Sequence, residues 1–106
     1  MRSLNPSELK ALLDIPGCAP VLLDVREPWE YAICHIAGCK SIPMGQIPNR
    51  IGELDPKAKI VVICHHGMRS EQVARFFEQA GFADIVNLQG GIDAWAREID
   101  PKMTRY

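Results

Sequence analysis

Apolar residues in this chain are arranged in two ways. Three short runs are nearly continuous, at residues 21–25 (broken only by Asp24), 60–63 and 85–88. Such runs suit strands buried on both faces of a parallel sheet. Elsewhere the apolar positions recur at helical spacing. Leu9, Leu12 and Leu13 form one stripe. Val73, Phe76, Phe77 and Ala80 form the best-defined one, opposite Glu71, Arg75, Glu78 and Gln79. A last helix is predicted over 92–98, with Trp95 on its inner face.

The punctuation agrees with these periods. Asn5 is a helix cap followed by Pro6, Glu8 stands three positions after the cap, and Pro16-Gly17 ends the element. Pro28 opens a brief helix carrying Trp29 and Tyr31. Residues 34–50 hold the breakers Gly38, Pro43, Gly45 and Pro48, so this stretch reads as loop with at most a very short strand over 40–42. Glu71 and Arg75 are spaced as an i,i+4 pair, and Gly81 supplies a left-handed stop. Gly90-Gly91 makes a turn, and Asp100-Pro101 ends the last helix. Strands alternating with helices predict an α/β fold, a parallel sheet covered by helices on both sides. No repeat, linker or low-complexity segment interrupts the pattern, so residues 1–106 are expected to form one domain.

Composition narrows the functional classes. The chain has 106 residues, 47% hydrophobic and 24% charged, with a net charge of −1. A pI near 6.3 argues against direct binding to nucleic acid or an anionic membrane. No stretch approaches the roughly 18 apolar residues of a membrane span, and the N-terminus lacks the apolar core of a secretory signal. The expected location is therefore the cytoplasm. The four cysteines, Cys18, Cys34, Cys39 and Cys64, are expected to stay reduced there, and a core of this size needs no disulfide.

Chemistry concentrates at Cys64. The apolar run 60–63 stops on this thiol, a short loop follows, and the best helical pattern begins just beyond. The loop is His65, His66, Gly67, Met68, Arg69 and Ser70. A cysteine between a buried strand and a helix start meets unpaired backbone N–H groups and the positive end of the helix dipole, which favour an anion and hence the nucleophilic thiolate. Gly67 permits the positive φ that wraps successive N–H groups around a central anion. Arg69 has two readings, contact with a bound anion or pairing with a carboxylate. His65 and His66 either add partial positive charge or are solvated loop residues. In open parallel sheets ligands collect at the carboxyl ends of strands, where Cys64 falls. Zinc is not expected: no C-x-x-C pair occurs, and the Cys and His spacing fits no common structural zinc set.

Three ordered segments carry a family resemblance. The stretch from Cys64 to Ser70 resembles the active-site loop of rhodanese-like sulfurtransferases. Leu23-Asp24-Val25-Arg26-Glu27-Pro28-Trp29-Glu30-Tyr31, followed by His35-Ile36-Ala37-Gly38 and Ile42-Pro43, agrees with it, as does Asn87-Leu88-Gln89-Gly90-Gly91-Ile92-Asp93-Ala94-Trp95. The resemblance runs from about Asn5 to Asp100. It implies a small five-stranded parallel sheet flanked by helices and a Cys64 that carries sulfur as a persulfide. His65, His66, Gly67, Met68 and Arg69, with Ser70 at their end, then form the substrate-binding cradle. Asp24 and Arg26 take a mainly structural ion-pair role.

The same resemblance implies thiosulfate or another small sulfur donor, a thiophilic acceptor such as cyanide or a protein thiol, and no cofactor or metal. Alternatives are 3-mercaptopyruvate as donor, a persulfide carrier in a protein sulfur relay for tRNA thiolation or cofactor synthesis, and a non-catalytic interaction domain. The chain departs from the family at Cys34, where glycine is usual, and at Cys39, where a small residue is usual. Packing is the expected role of both, resolution of a Cys64 persulfide the alternative. Tyrosine phosphatases resemble this arrangement with five residues between cysteine and arginine. Four lie between Cys64 and Arg69, a ring that suits one sulfur atom better than a phosphoryl group.

Overall fold

The computed structural model describes residues 2–17 and 19–106. Its strands are β1 (Arg2–Leu4), β2 (Val21–Asp24), β3 (Lys40–Ser41), β4 (Lys59–Ile63) and β5 (Asp84–Leu88). Its helices are α1 (Pro6–Leu13), α2 (Pro28–Ile33), α3 (Ile47–Arg50), α4 (Met68–Gln79) and α5 (Gly91–Glu98). The strands form one sheet in the order β1-β5-β4-β2-β3, with every pairing parallel. This is the expected α/β architecture.

The central strand shows why both faces must be covered. Side chains alternate across a strand. Ile60 and Val62 therefore join one core with Leu23, Val73, Ala74, Phe77 and Phe82. Val61 and Ile63 join the opposite core with Leu9, Leu22, Val86, Ile92 and Trp95. Helix α4 thus packs on one face, and α1 and α5 on the other. The α1 capping box is present: Asn5 Oδ1 accepts from Glu8 N at 2.8 Å, and Glu8 Oε1 accepts from Asn5 N at 2.9 Å.

Three differences from the sequence pattern have physical causes. Strand β1 carries no apolar run, because it is an edge strand whose Arg2 and Ser3 are exposed, and its partner β5 orders it. The breaker-rich stretch 34–50 holds α3 and a short 3₁₀ turn, Met44–Gln46, besides β3. The inner face of α4 is Ser70, Val73, Ala74 and Phe77, so Phe76 and Ala80 fall outside the buried stripe. Phe76 instead lines an exposed apolar groove with Met44, Ile47, Pro48, Gln72 and Val73. Cys18 lies outside the described residues.

Candidate active site

Cys64 directly follows β4, at the carboxyl edge of the sheet, and is 1% exposed. The chain must turn at once from strand to helix, and Gly67 takes φ +103° to do so. A Cβ there would stand 3.3 Å from Gly90 N, so the turn is strained for any L side chain. This turn aims the Gly67 N–H at Cys64 Sγ, 3.0 Å away. The Ser70 hydroxyl, on the first turn of α4, lies 3.3 Å from the same sulfur. Ser70 is fully buried and also meets Asn87 Oδ1 of β5, so one hydroxyl proton serves the sulfur and the amide oxygen. Asn87 Nδ2 in turn donates to Gly67 O at 3.3 Å, fixing the turn from below.

A second element holds the loop from behind. The first amides of α5 bind its carbonyls: Ile92 N donates to Cys64 O at 2.8 Å and Asp93 N to His65 O at 3.1 Å. Only glycine at 91 permits this approach, because a Cβ there would sit 2.4 Å from Cys64 O and 2.5 Å from His65 O. A trans peptide sets its N–H opposite its carbonyl, so the His65 and His66 amides are turned away from α5.

The side chains of the loop are less free than the sequence suggests. Of the two readings of Arg69, the structure shows the carboxylate pair: Nη1 and Nη2 reach Glu30 Oε1 and Oε2 at 2.6 and 2.8 Å. Glu30 is 4% exposed and also accepts from Glu27 N at 3.0 Å and from the Tyr106 hydroxyl at 2.9 Å. The Arg69 guanidinium outweighs burial and holds the Glu30 carboxyl down at about 2. Arg69 nonetheless shares an open pocket with Cys64, His65, His66, Met68 and Gln72.

His65 is half-buried between rings, stacked on His66 at 3.9 Å and on Tyr106 at 4.0 Å. Burial, and next the His66 imidazole, push its pKa below the ordinary histidine value, toward the neutral form. His66 and Met68 are exposed at the rim.

Behind the site, Asp24 and Arg26 form the expected ion pair. Both are fully buried, with Arg26 Nη2 2.6 Å from Asp24 Oδ2 and Nε 2.9 Å from Oδ1. Arg26 also donates to the carbonyls of Glu30 (3.2 Å) and Cys34 (2.6 Å) and to the Tyr106 hydroxyl (2.9 Å). It is a buried cation with its donors satisfied, the condition for such a charge to be tolerated. Cys34, Cys39 and Cys64 carry free thiols. Cys34 packs among Leu9, Leu22 and Ile36, and burial pushes the Cys39 thiol up to about 12, toward the protonated form.

His65, His66 and Asp93 bring donor atoms within 4.8 Å of one another. The Asp93 oxygens are engaged by Arg105 and Arg97 at 3.1 and 3.3 Å. The two imidazoles are stacked 26° from parallel, so their in-plane lone pairs do not converge on one point as a metal requires.

The loop residues named from the sequence are thus gathered around Cys64. Asn87, Glu30 and Tyr106 complete the arrangement and were not among them. Asn87 had a signal, as a polar residue inside the apolar run 85–88. Glu30 lies in the segment that carries the family resemblance, but nothing in its spacing points to Arg69, and its local role is to accept from Glu27 N at the start of α2. Tyr106 is 76 positions from Glu30 and had none.

Comparison with known proteins agrees with this architecture. The chain is 37% identical over 83 residues to thiosulfate sulfurtransferase GlpE of Pseudomonas paraeruginosa, covering 78% of this chain and 74% of that protein. It is 40% identical over 106 residues to the probable adenylyltransferase/sulfurtransferase MoeZ of Mycobacterium tuberculosis, of which it spans only 27%. Among solved structures, a rhodanese-related protein from Thermoplasma volcanium superposes with a TM-score of 0.84 at 35% identity, covering 93% of this chain and 94% of that one. Residues 5–98 match the rhodanese-like domain, and the chain belongs to that family of sulfurtransferases and sulfur carriers.

Proposed function

We propose that residues 1–106 act as one cytoplasmic sulfurtransferase domain that takes sulfane sulfur from thiosulfate through a persulfide on Cys64. The observation that carries this reading is the sulfur itself, held at the end of β4 with the Gly67 N–H at 3.0 Å and the Ser70 hydroxyl at 3.3 Å. Donors at that distance stabilise negative charge on the Cys64 thiolate, as an oxyanion hole does for oxygen. The Cys64 thiolate attacks the outer sulfur of thiosulfate. A Cys64–sulfur bond forms, the sulfur–sulfur bond of the donor breaks, and its electron pair leaves with sulfite. A nucleophilic acceptor such as cyanide then attacks the outer sulfur, and the Cys64 thiolate is regenerated. His65, His66, Gly67, Met68, Arg69 and Ser70 form the pocket in which donor and acceptor bind, and neither step needs a metal or cofactor. The GlpE likeness supports thiosulfate as donor.

A relay role is the second reading, favoured by the likeness to MoeZ and to the putative sulfur carrier protein YrkF of Bacillus subtilis, 42% identical over 74 residues. There the acceptor is a protein thiol and cyanide turnover is incidental.

Mass spectrometry after thiosulfate treatment tests the shared core of both readings. One added sulfur is expected on the peptide containing Cys64, and Cys64→Ser should abolish both that adduct and thiocyanate formation. Equal labelling of Cys34 or Cys39 would sink the claim of a unique carrier.

A further inference from the structure

We propose that Tyr106 is a positioning residue for sulfur transfer, fixing through Glu30 where the Arg69 cation stands relative to Cys64. The inference rests on Cys64 being the reactive thiol. The Tyr106 hydroxyl accepts from Arg26 Nη1 at 2.9 Å and donates to Glu30 Oε2 at 2.9 Å. Arg26 is an immobile anchor, fully buried and tied to Asp24 and to two carbonyls. Glu30 receives four donors: Glu27 N and Arg69 Nη1 on Oε1, Arg69 Nη2 and the Tyr106 hydroxyl on Oε2.

A carboxylate held at one oxygen by a backbone amide and at the other by a phenol cannot rotate about its own axis. Its plane then dictates the direction of the two parallel bonds to Arg69. Arg69 is 36% exposed, and among the described residues its head-group hydrogen bonds go to this carboxylate. The Tyr106 ring is itself seated, stacked on His65 at 4.0 Å and edge-on to Trp29 at 6.1 Å.

Removing the hydroxyl in Tyr106→Phe keeps the ring contacts and frees one side of Glu30. The carboxylate then swings outward with Arg69, and the pocket over Cys64 loses part of its attraction for anions. The probe is a pair of alkylating reagents of similar size, anionic iodoacetate and neutral iodoacetamide, with the rate read on the Cys64 peptide by mass spectrometry. The ratio of the two rates should fall about three- to tenfold in Tyr106→Phe, while the iodoacetamide rate stays at the wild-type value. Arg69→Ala should lower the ratio at least as far, and adding Tyr106→Phe to it should change the ratio no further, because the phenol acts through Arg69. Loss of a residue that merely stabilises the fold would expose the buried Cys64, speed both reagents alike and add to Arg69→Ala, and either result overturns the inference. An unchanged ratio in Tyr106→Phe overturns it alone, leaving the reading of Cys64 intact. Failure of Cys64 to react with either reagent in the wild type would remove that reading and the inference with it.

Discussion

Glu30→Gln isolates the charge of the buried carboxylate that pairs with Arg69 beside the candidate site. The side chain keeps its shape, loses its charge, and presents an amide N–H₂ to donors on one of its two sides. The Glu30 carboxyl is held at about 2, against an ordinary value of 4.5. A shift of that size is worth about 3 kcal/mol at full weight. Arg69, its main partner, is 36% exposed and screened by solvent, so about 2 kcal/mol is the better expectation.

The pKa is depressed in the folded state, so this stability is present in full above about 4.5 and is lost as pH falls from there toward 2. Urea unfolding followed by fluorescence of Trp29 and Trp95 reads it out. At pH 7 the Glu30→Gln midpoint should lie roughly 1–2 M below wild type, given an m-value of about 1–2 kcal/mol/M. Roughly half of that gap should close by pH 3. A gap equally wide at pH 7 and pH 3 would show that packing, not charge, accounts for the loss. No gap at pH 7 would refute the reasoning outright.

Two further outcomes follow from the geometry around the sulfur. Ser70→Ala removes a donor from Cys64 Sγ and leaves Asn87 Oδ1 without its hydroxyl, so stability should drop by about 1–2 kcal/mol. Stopped-flow measurement of persulfide formation from thiosulfate should show a loss of roughly tenfold in the same variant. Gly91→Ala places a Cβ 2.4 Å from Cys64 O at a backbone φ of +62° and should cost about 3 kcal/mol or more in urea unfolding. The displaced carbonyl belongs to Cys64, so cyanide-dependent turnover should fall in that variant even in the fraction that remains folded.

The parallel sheet was legible because its inner strands are buried on both faces. Residues 60–63 and 85–88 have no polar alternation to confuse with an exposed strand, and each meets a helix start with an unmistakable glycine. Strand β1 was not legible, since Arg2 and Ser3 owe their extended form to pairing with Val86 and Asn87 rather than to any pattern of their own. The buried stripe on α4 is rotated about 60° from the one that apolar spacing suggests, sharing Val73 and Phe77 but holding Ser70 and Ala74 in place of Phe76 and Ala80. Apolar spacing alone does not reveal that the polar Ser70 takes an inner position, against Cys64. At the site, the nucleophile and the cradle were legible because both lie in one contiguous segment. Glu30 and Tyr106 were not, because their roles depend on contacts 39 and 76 residues apart, which no local spacing encodes.

That long-range pairing changes which part of the loop stabilises an anion. Read as sequence, His65, His66 and Arg69 make a cationic loop, and side-chain charge would select a dianionic donor. In the folded chain Arg69 is shared with Glu30, and burial drives His65 toward neutrality. The backbone, with the neutral Ser70 hydroxyl, is what remains committed to the sulfur. Cys64 O and His65 O are both consumed by the amides of Ile92 and Asp93, so the adjoining N–H groups face away from α5. The Gly67 N–H points directly at Sγ. Backbone donors need no protonation and no rearrangement when the charge on sulfur arrives, so their contribution holds across the neutral pH range and survives salt that would screen a surface arginine. In the proposed reaction the Gly67 amide therefore stabilises the charge on the Cys64 sulfur. Arg69, from its tether on Glu30, is left to attract the donor.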